Sequence, residues 1–338
     1  MKGPNPFSPW EEAPGSIIGR KEETRIFNAF LNATSSKQTG MIVMTGTPGL
    51  GKSSLLRYFR QMAEKEGMLA PLVKVEKGEN EEAVAEKLHH ELAILPGFAT
   101  RGKGAPSRLD ELPDKTKLDK QHFGIVFFID DIDLMKKNER AVKKLAETVR
   151  KHYGKKPFSF VVSSTREFRV RSELVQLIEL EPFTEENARE MVEKALKEKK
   201  LKMGEGCLKT ILADTNGNQK LFKSVCRYIY DRLRENEKVM TKGHYLAYLP
   251  YIMSMLSRES FGRMYQETPP AERSILHEIA KNEKGGHISD VAGEIGRPLG
   301  QVTALAKRLL DRGQIVRMER GKYRIFSRLY ARYVLQRG

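Results

Sequence analysis

The octapeptide Gly46-Thr47-Pro48-Gly49-Leu50-Gly51-Lys52-Ser53 constrains this chain more than any other stretch. It follows the apolar run Met41-Ile42-Val43-Met44 and opens the amphipathic run Ser54-Leu55-Leu56-Arg57-Tyr58-Phe59. A buried strand must therefore turn sharply into a helix. Gly49 and Gly51 let the backbone bend so that successive N–H groups aim at phosphate oxygens. The helix N-terminus adds its positive dipole end to that cradle. On this reading Thr47, Pro48, Gly49, Leu50, Gly51 and Ser54 line the phosphates, Lys52 places a point charge on the β- and γ-phosphates, and Ser53 offers a hydroxyl to Mg²⁺. ATP with Mg²⁺ is the expected ligand.

Short apolar runs alternate with amphipathic stretches through the first half, the pattern of a parallel sheet with helices on both faces. Strands are expected at Met41–Thr45, Leu72–Glu76, Ile125–Asp130, Phe158–Ser163 and Leu177–Glu181, with helices at Ser53–Lys65, Asn80–Leu95, Asn138–His152 and, briefly, Arg171–Gln176. The fold class is α/β, a P-loop NTPase sheet. From Thr184 the strand signal stops, and Glu185–Glu198, Glu205–Asp214 and Gln219–Asn236 carry helical periodicity, as in a helical lid. The expected division is 1–183 for the nucleotide core, 184–267 for the lid and 268–338 for a winged-helix domain. Gly97–Gln121, with Arg101-Gly102-Lys103-Gly104-Ala105-Pro106, has little apolar periodicity. It reads as a long mobile loop that either touches DNA or a neighbouring subunit or is a tolerated insertion.

A second carboxylate landmark stands at the end of Gly124-Ile125-Val126-Phe127-Phe128-Ile129-Asp130-Asp131, which resembles a Walker B strand. Asp130 would hold a water ligand of Mg²⁺, and Asp131 would orient the attacking water. Asp133 reads as a helix cap. The next strand runs into Ser164-Thr165-Arg166, where Ser164, with Thr165 in reserve, is the candidate for a side chain close to the γ-phosphate. Such hydroxyls are also ordinary turn residues. Arg166, Arg169 and Arg171 either offer a trans-acting arginine to an adjacent subunit or form a solvated face.

Together with Asn5-Pro6-Phe7, Ile18-Gly19-Arg20-Lys21-Glu22-Glu23, Glu181-Pro182-Phe183-Thr184, Thr215-Asn216-Gly217-Asn218 and the terminal Tyr323–Tyr330 stretch, these motifs resemble the archaeal-type ATPases of the AAA+/STAND lineage. The resemblance implies an ATPase core, a helical lid and a C-terminal winged helix, with Gly19 and Arg20 near the adenine. Lys220, where the origin-recognition branch carries Arg, either reaches a phosphate as a second sensor or is a surface Lys at a helix start. Many relatives have Pro where Gln219 stands, and related ATPases usually have Glu where Asp131 stands. A base one methylene shorter implies slow turnover.

Ala271–Ala280, Ile288–Ile295 and Pro298–Asp311 have helix-turn-helix spacing, and Gln314–Arg317 with Lys322–Phe326 reads as a β-hairpin wing. Gln301, Thr303, Lys307 and Arg308 would face a DNA major groove, with Arg320 and Lys322 on phosphates. The stretch Thr268–Gly338 has fourteen Lys and Arg against seven Asp and Glu, contributing +7 to a net charge of +16, which favours a polyanion. Double-stranded DNA is the expected partner. A homo-oligomer or a protein docked on the winged helix, in a signalling scaffold with slow turnover, is the alternative. Cys207 and Cys226 read as reduced core thiols. With no run of membrane-span length, the expected location is the cytoplasm. His89-His90-Glu91 lacks the second His of a zinc-protease helix, and Trp10, Tyr228 and Tyr230 read as packing residues.

Overall fold

The computed structural model describes residues 4–7, 17–95, 98–100 and 106–337. Trp10 and residues 101–105 of the basic loop lie outside them. The chain divides into two compact units: one comprises 13–46 and 51–180, and the other 1–12, 47–50 and 181–338.

In the first unit the strands are β1 (Met41–Thr45), β2 (Met68–Leu69), β3 (Leu72–Lys74), β6 (Gly124–Asp130), β7 (Phe158–Ser164) and β8 (Val175–Glu179). They form one sheet in the order β2-β6-β7-β1-β8, with β3 also paired to β6, and every pairing is parallel. The helices are α1 (Lys21–Ser35), α2 (Lys52–Lys65), α3 (Glu81–Ala93), α4 (Leu112–Lys115) and α5 (Asn138–His152). Both faces of the sheet are covered. Met41, Val43, Ile125, Phe127, Ile129, Phe160 and Val162 share one core with Val84, Leu88 and Leu92 of α3 and Val142, Leu145 and Val149 of α5. On the opposite face Phe27 of α1 stacks on Phe59 of α2 at 4.1 Å and tilts against Phe128 of β6 at 6.2 Å. Strands buried on both faces explain the uninterrupted apolar runs of β1, β6 and β7.

Two expectations fail here. Arg171–Gln176 is not a helix: residues 171–174 are irregular, and β8 begins at Val175. As a half-exposed edge strand beside β1, β8 gains more from ladder hydrogen bonds than six residues gain from a helix too short to nucleate. Nor is 97–121 a structureless loop. It contains an antiparallel pair, β4 (Phe98–Thr100) with β5 (Thr116–Leu118), and between them a 3-10 turn at Leu109–Glu111 and then α4. Leu109 and Leu112 are buried in the α3/α5 core, anchoring the insert.

The second unit is helical at first: α6 (Glu185–Leu196), α7 (Glu205–Thr215), α8 (Gln219–Arg232), α9 (Lys242–Leu256) and α10 (Gly262–Gln266), with β9 (Lys202–Met203) beside β10 (Val239–Met240). A π-helical turn, Ser257–Phe261, joins α9 to α10. Thr184 and Asn187 form a reciprocal cap at the start of α6. Then come α11 (Pro270–Ala280), β11 (Gly286–His287), α12 (Ile288–Glu294), α13 (Leu299–Asp311), β12 (Ile315–Glu319), β13 (Lys322–Ile325) and α14 (Arg328–Leu335). The last sheet is antiparallel in the order β11-β13-β12. The buried Asp214 at the end of α7 accepts hydrogen bonds from Tyr245 Oη at 2.6 Å and from Arg332 of α14 at 3.1 Å, tying α7, α9 and α14 together. Cys207 and Cys226 are free and buried, and burial pushes the Cys207 thiol up to about 12.

Candidate functional site

The loop between β1 and α2 has the geometry its glycines require. Gly49 and Gly51 sit at φ +88° and +92°, in the left-handed region, and Gly51 is the residue that precedes the first turn of α2. Lys52 is buried at 6 % exposure, and its Nζ donates to the Gly46 carbonyl at 2.6 Å. Burial lowers the Lys52 pKa, against the opposing pull of Asp131, Asp133 and Asp130. The three carboxylates favour the charged form of this buried ammonium, which is the form that can meet an anionic ligand. Ser53 is half-buried and Ser54 exposed, one residue further along the same helix turn.

At the tips of β6 and β7 the polar side chains are interlocked. Asp130 is 4 % exposed and accepts from Ser163 Oγ at 2.5 Å, and the same oxygen accepts the Asp131 N–H at 2.9 Å. Asp131 adopts a left-handed backbone, φ 57° and ψ 44°. Its carboxylate lies 3.4 Å from Lys74 Nζ of β3. Burial raises the Asp131 carboxyl above the usual carboxylate range, Asp130 adds to the rise, and Lys74 and Lys52 oppose it. Asp133 is not a helix cap: its carboxylate accepts the Thr165 N–H at 3.1 Å, bridging the two strand ends. Ser164, fully buried, donates to the Arg166 carbonyl at 2.8 Å and accepts the Arg166 N–H at 2.9 Å, closing a serine turn. Arg166, Arg169 and Arg171 are exposed.

Gly19 has φ +68° and precedes the buried Arg20, which pairs with Glu23 at 3.1 Å at the start of α1.

Residues 47–50 cluster with the second unit, and within it their carbonyls are held. Asn218 Nδ2 donates to Pro48 O at 2.8 Å, while its Oδ1 caps α8 by accepting the Leu221 N–H at 3.1 Å. The backbone N–H of the exposed Lys220 donates to Gly49 O at 3.0 Å. A Cβ at Gly49 would fall 2.5 Å from Asn218 Oδ1, and one at Gly313, in the turn after α13, would fall 2.1 Å from Pro48 Cδ. Sequence motifs assign no role to Asn218 or Ser163. Asn218 ends the Thr215–Asn218 stretch of the resemblance and stands before a helical run, signals that mark an N-cap and no ligand.

In the C-terminal module Gln301, Thr303, Lys307 and Arg308 share the exposed face of α13, opposite the buried Val302, Leu305, Ala306 and Leu309. Thr303 Oγ1 donates to Leu299 O at 2.8 Å. Arg320 is exposed at the hairpin tip, and Lys322 beside it lies 3.4 Å from Glu319.

A family profile described as an AAA domain matches residues 35–172, which contain the β1–α2 loop and both strand tips. The match covers residues 35–172, under half of the chain, and supports a nucleotide-hydrolysing domain there. The chain around it is similar in fold to the Walker-type ATPase PABY2304 of Pyrococcus abyssi, at 16 % identity and a TM-score of 0.70, over 97 % of this chain and 100 % of that one. It is also similar to the Aeropyrum pernix ORC1 protein, solved in complex with DNA, at 15 % identity and a TM-score of 0.50, over 96 % and 94 % of the two chains. A mutant form of Thermotoga maritima RuvB gives 17 % identity and a TM-score of 0.50, over 90 % and 91 %. The chain has no match among curated proteins. Lys52 and the Asp130–Asp131 strand tip lie within the matched segment. No helix of the described residues is long and apolar enough to cross a membrane.

Proposed function

We propose that this chain is an ATP-driven switch in which the nucleotide held by the AAA domain sets the grip of the C-terminal module on double-stranded DNA. The carrying observation is the holding of Pro48 and Gly49. Their carbonyls accept from Asn218 and Lys220, and Pro48 leaves no room for a side chain at Gly313, which follows α13 directly. A phosphate drawn into the loop bears on the groups that position α13.

Lys52 binds the β- and γ-phosphates, the backbone N–H groups of Thr47, Gly49, Leu50 and Gly51 and the first turn with Ser54 line them beside Pro48, and Gly19 with Arg20 lies beside the adenine. Lys220 reaches a phosphate from the start of α8. Ser53 and Asp130 fit Mg²⁺: both are hard oxygen donors, and no cluster of three or more His, Cys, Asp or Glu suited to a metal cage occurs among the described residues, as suits an ion held largely by phosphates and water. When bound, Mg²⁺ offsets charge on the phosphate oxygens. Asp131 orients the attacking water, and Ser164 stands at the γ-phosphate end. The exposed arginines 166, 169 and 171 are the groups a neighbouring copy would use in trans.

The C-terminal elements α11–α14 with β11–β13 serve as a winged helix, α13 as its recognition helix and Arg320 and Lys322 as wing contacts. Its basic balance supports DNA, as does the likeness in fold to an ORC1 protein solved with DNA. Fluorescence anisotropy on a labelled duplex with ATP, ADP and no nucleotide tests the reading. Affinity should differ between the nucleotide states and fall steeply with salt as phosphate contacts release counterions. Identical affinity in all three states sinks the switch. Binding too weak to measure at low salt favours a protein partner for the module, where Leu299 and Met318 are half exposed.

A further inference from the structure

Ser163 is the residue that the sequence motifs pass over and the geometry singles out. It lies on β7 one strand from Asp130, in register with it, since Ile129 pairs with Val162. Its side chain has no exposed surface. A serine hydroxyl has one proton to give, and this one goes to Asp130 Oδ1 at 2.5 Å. The oxygen then accepts the N–H of Asp131 at 2.9 Å.

One atom thus fixes two different things, the direction of one carboxylate and the backbone of the next residue. The second matters because Asp131 is held at positive φ, a conformation that a non-glycine residue keeps only when its surroundings enforce it. In a continued strand, consecutive side chains would leave on opposite faces of the sheet. The left-handed turn interrupts that alternation directly after Asp130. Neighbouring hydroxyls do other work: Ser164 closes its turn on Arg166, and Thr165 meets Asp133 through its backbone.

We propose that Ser163 is a positioning residue for ATP hydrolysis, its hydroxyl acting as a clamp that aims the Asp130 carboxylate and sets the Asp131 turn. It acts through the two carboxylates, so the inference rests on the roles given to Asp130 and Asp131 above. The clamp should leave nucleotide binding alone, because the phosphate loop does not use it.

Steady-state ATPase kinetics on the full chain test this with Ser163→Ala, Ser163→Thr, Asp131→Asn and the Ser163→Ala/Asp131→Asn pair. Ser163→Ala should lower kcat about 10- to 100-fold, the usual effect of removing a group that orients a ligand carboxylate. KM for ATP should stay within about twofold, the mark of a lost transition-state contribution. Ser163→Thr, which keeps the hydroxyl, should recover most of the rate, and adding Ser163→Ala to Asp131→Asn should cost less than Ser163→Ala costs alone, the remainder being the Asp130 half of the clamp. Unchanged kcat in Ser163→Ala, equal losses in the Ala and Thr variants, or a rise in KM that accounts for the whole effect overturns the clamp. Thermal melting accompanies each variant. If Ser163→Ala has no folding transition, Ser163→Cys, a weak donor of similar size, takes its place under the same criteria. If Asp131→Asn turns over normally, it is the carboxylate assignment that fails, and the Asp130 half of the clamp is then read from the Ala and Thr variants alone.

Discussion

The strand tips of the AAA domain and the outer face of α13 are both rows of polar residues, and they are built in opposite ways. At the tips of β6 and β7 the polar groups are buried or half-buried and bonded to one another: Ser163 with Asp130 and Asp131, Asp133 with Thr165, Ser164 with the Arg166 backbone. On α13 Gln301, Lys307 and Arg308 stand in solvent above an apolar base, and Arg308 lies 3.9 Å from Glu272. Buried networks fix geometry at a cost in desolvation, which is what a reaction centre needs. An exposed row keeps its rotamer freedom and adapts to a ligand surface. A substitution in the first should therefore act on rate, and in the second on affinity and salt dependence.

That contrast is sharpest at Asp131. Asp131→Asn should leave ATP binding intact while lowering turnover about 100-fold or more, the range for losing a positioned base; phosphate-release kinetics beside nucleotide titration will separate the two. Lys52→Ala should act on binding itself, since it removes the buried charge proposed to meet the phosphates. A loss of roughly 2–5 kcal/mol in ATP affinity is expected by calorimetry. Gly313→Ala comes next: φ is +68° and the new Cβ would lie 2.1 Å from Pro48 Cδ. Strain of about 1–3 kcal/mol should appear in thermal unfolding, and the difference in DNA affinity between ATP and ADP states should shrink. Lys307→Ala should weaken DNA binding several-fold on every sequence alike and reduce the salt slope by about one, as the loss of one phosphate contact does.

The smallest expected effect lies in the insert. Asp114, bonded to Lys156 and His152, has its pKa lowered from 3.8 to about 2, with burial opposing the shift and those two partners overcoming it. A carboxyl depressed in the folded state stabilises above its unfolded pKa and loses that stability as pH falls through the folded one. Between pH 4 and 2 Asp114→Asn should therefore flatten the decline in melting temperature. The carboxylate is half exposed, so the difference should stay below about 1 kcal/mol.

The sequence made the buried parts of this contrast readable. The apolar runs of β1, β6 and β7, the loop that follows the first and the carboxylates that end the second are local signals, and their pairing follows from strand order. The helices α11–α13 were readable for the same reason, as was the hairpin after them. What was hidden depends on register and on contacts far apart in the chain. Ser163 and Ser164 are indistinguishable as letters, and only the alignment of Val162 with Ile129 decides which of them meets Asp130. Asn218 lies 170 residues from Pro48. In the insert, strands of only three residues leave no period to detect, and α4 is a single turn.

The left-handed turn at Asp131 bears on why this position holds the shorter acid. Asp and Asn enter that backbone region far more readily than longer side chains, because their carbonyl groups bond locally. Glutamate, usual in related ATPases, would gain reach toward the phosphate and lose conformational fit. Residue identity at the strand tip is thus chosen jointly by the chemistry and the turn, and changes at this position and at Ser163 are expected to be tolerated together more readily than singly.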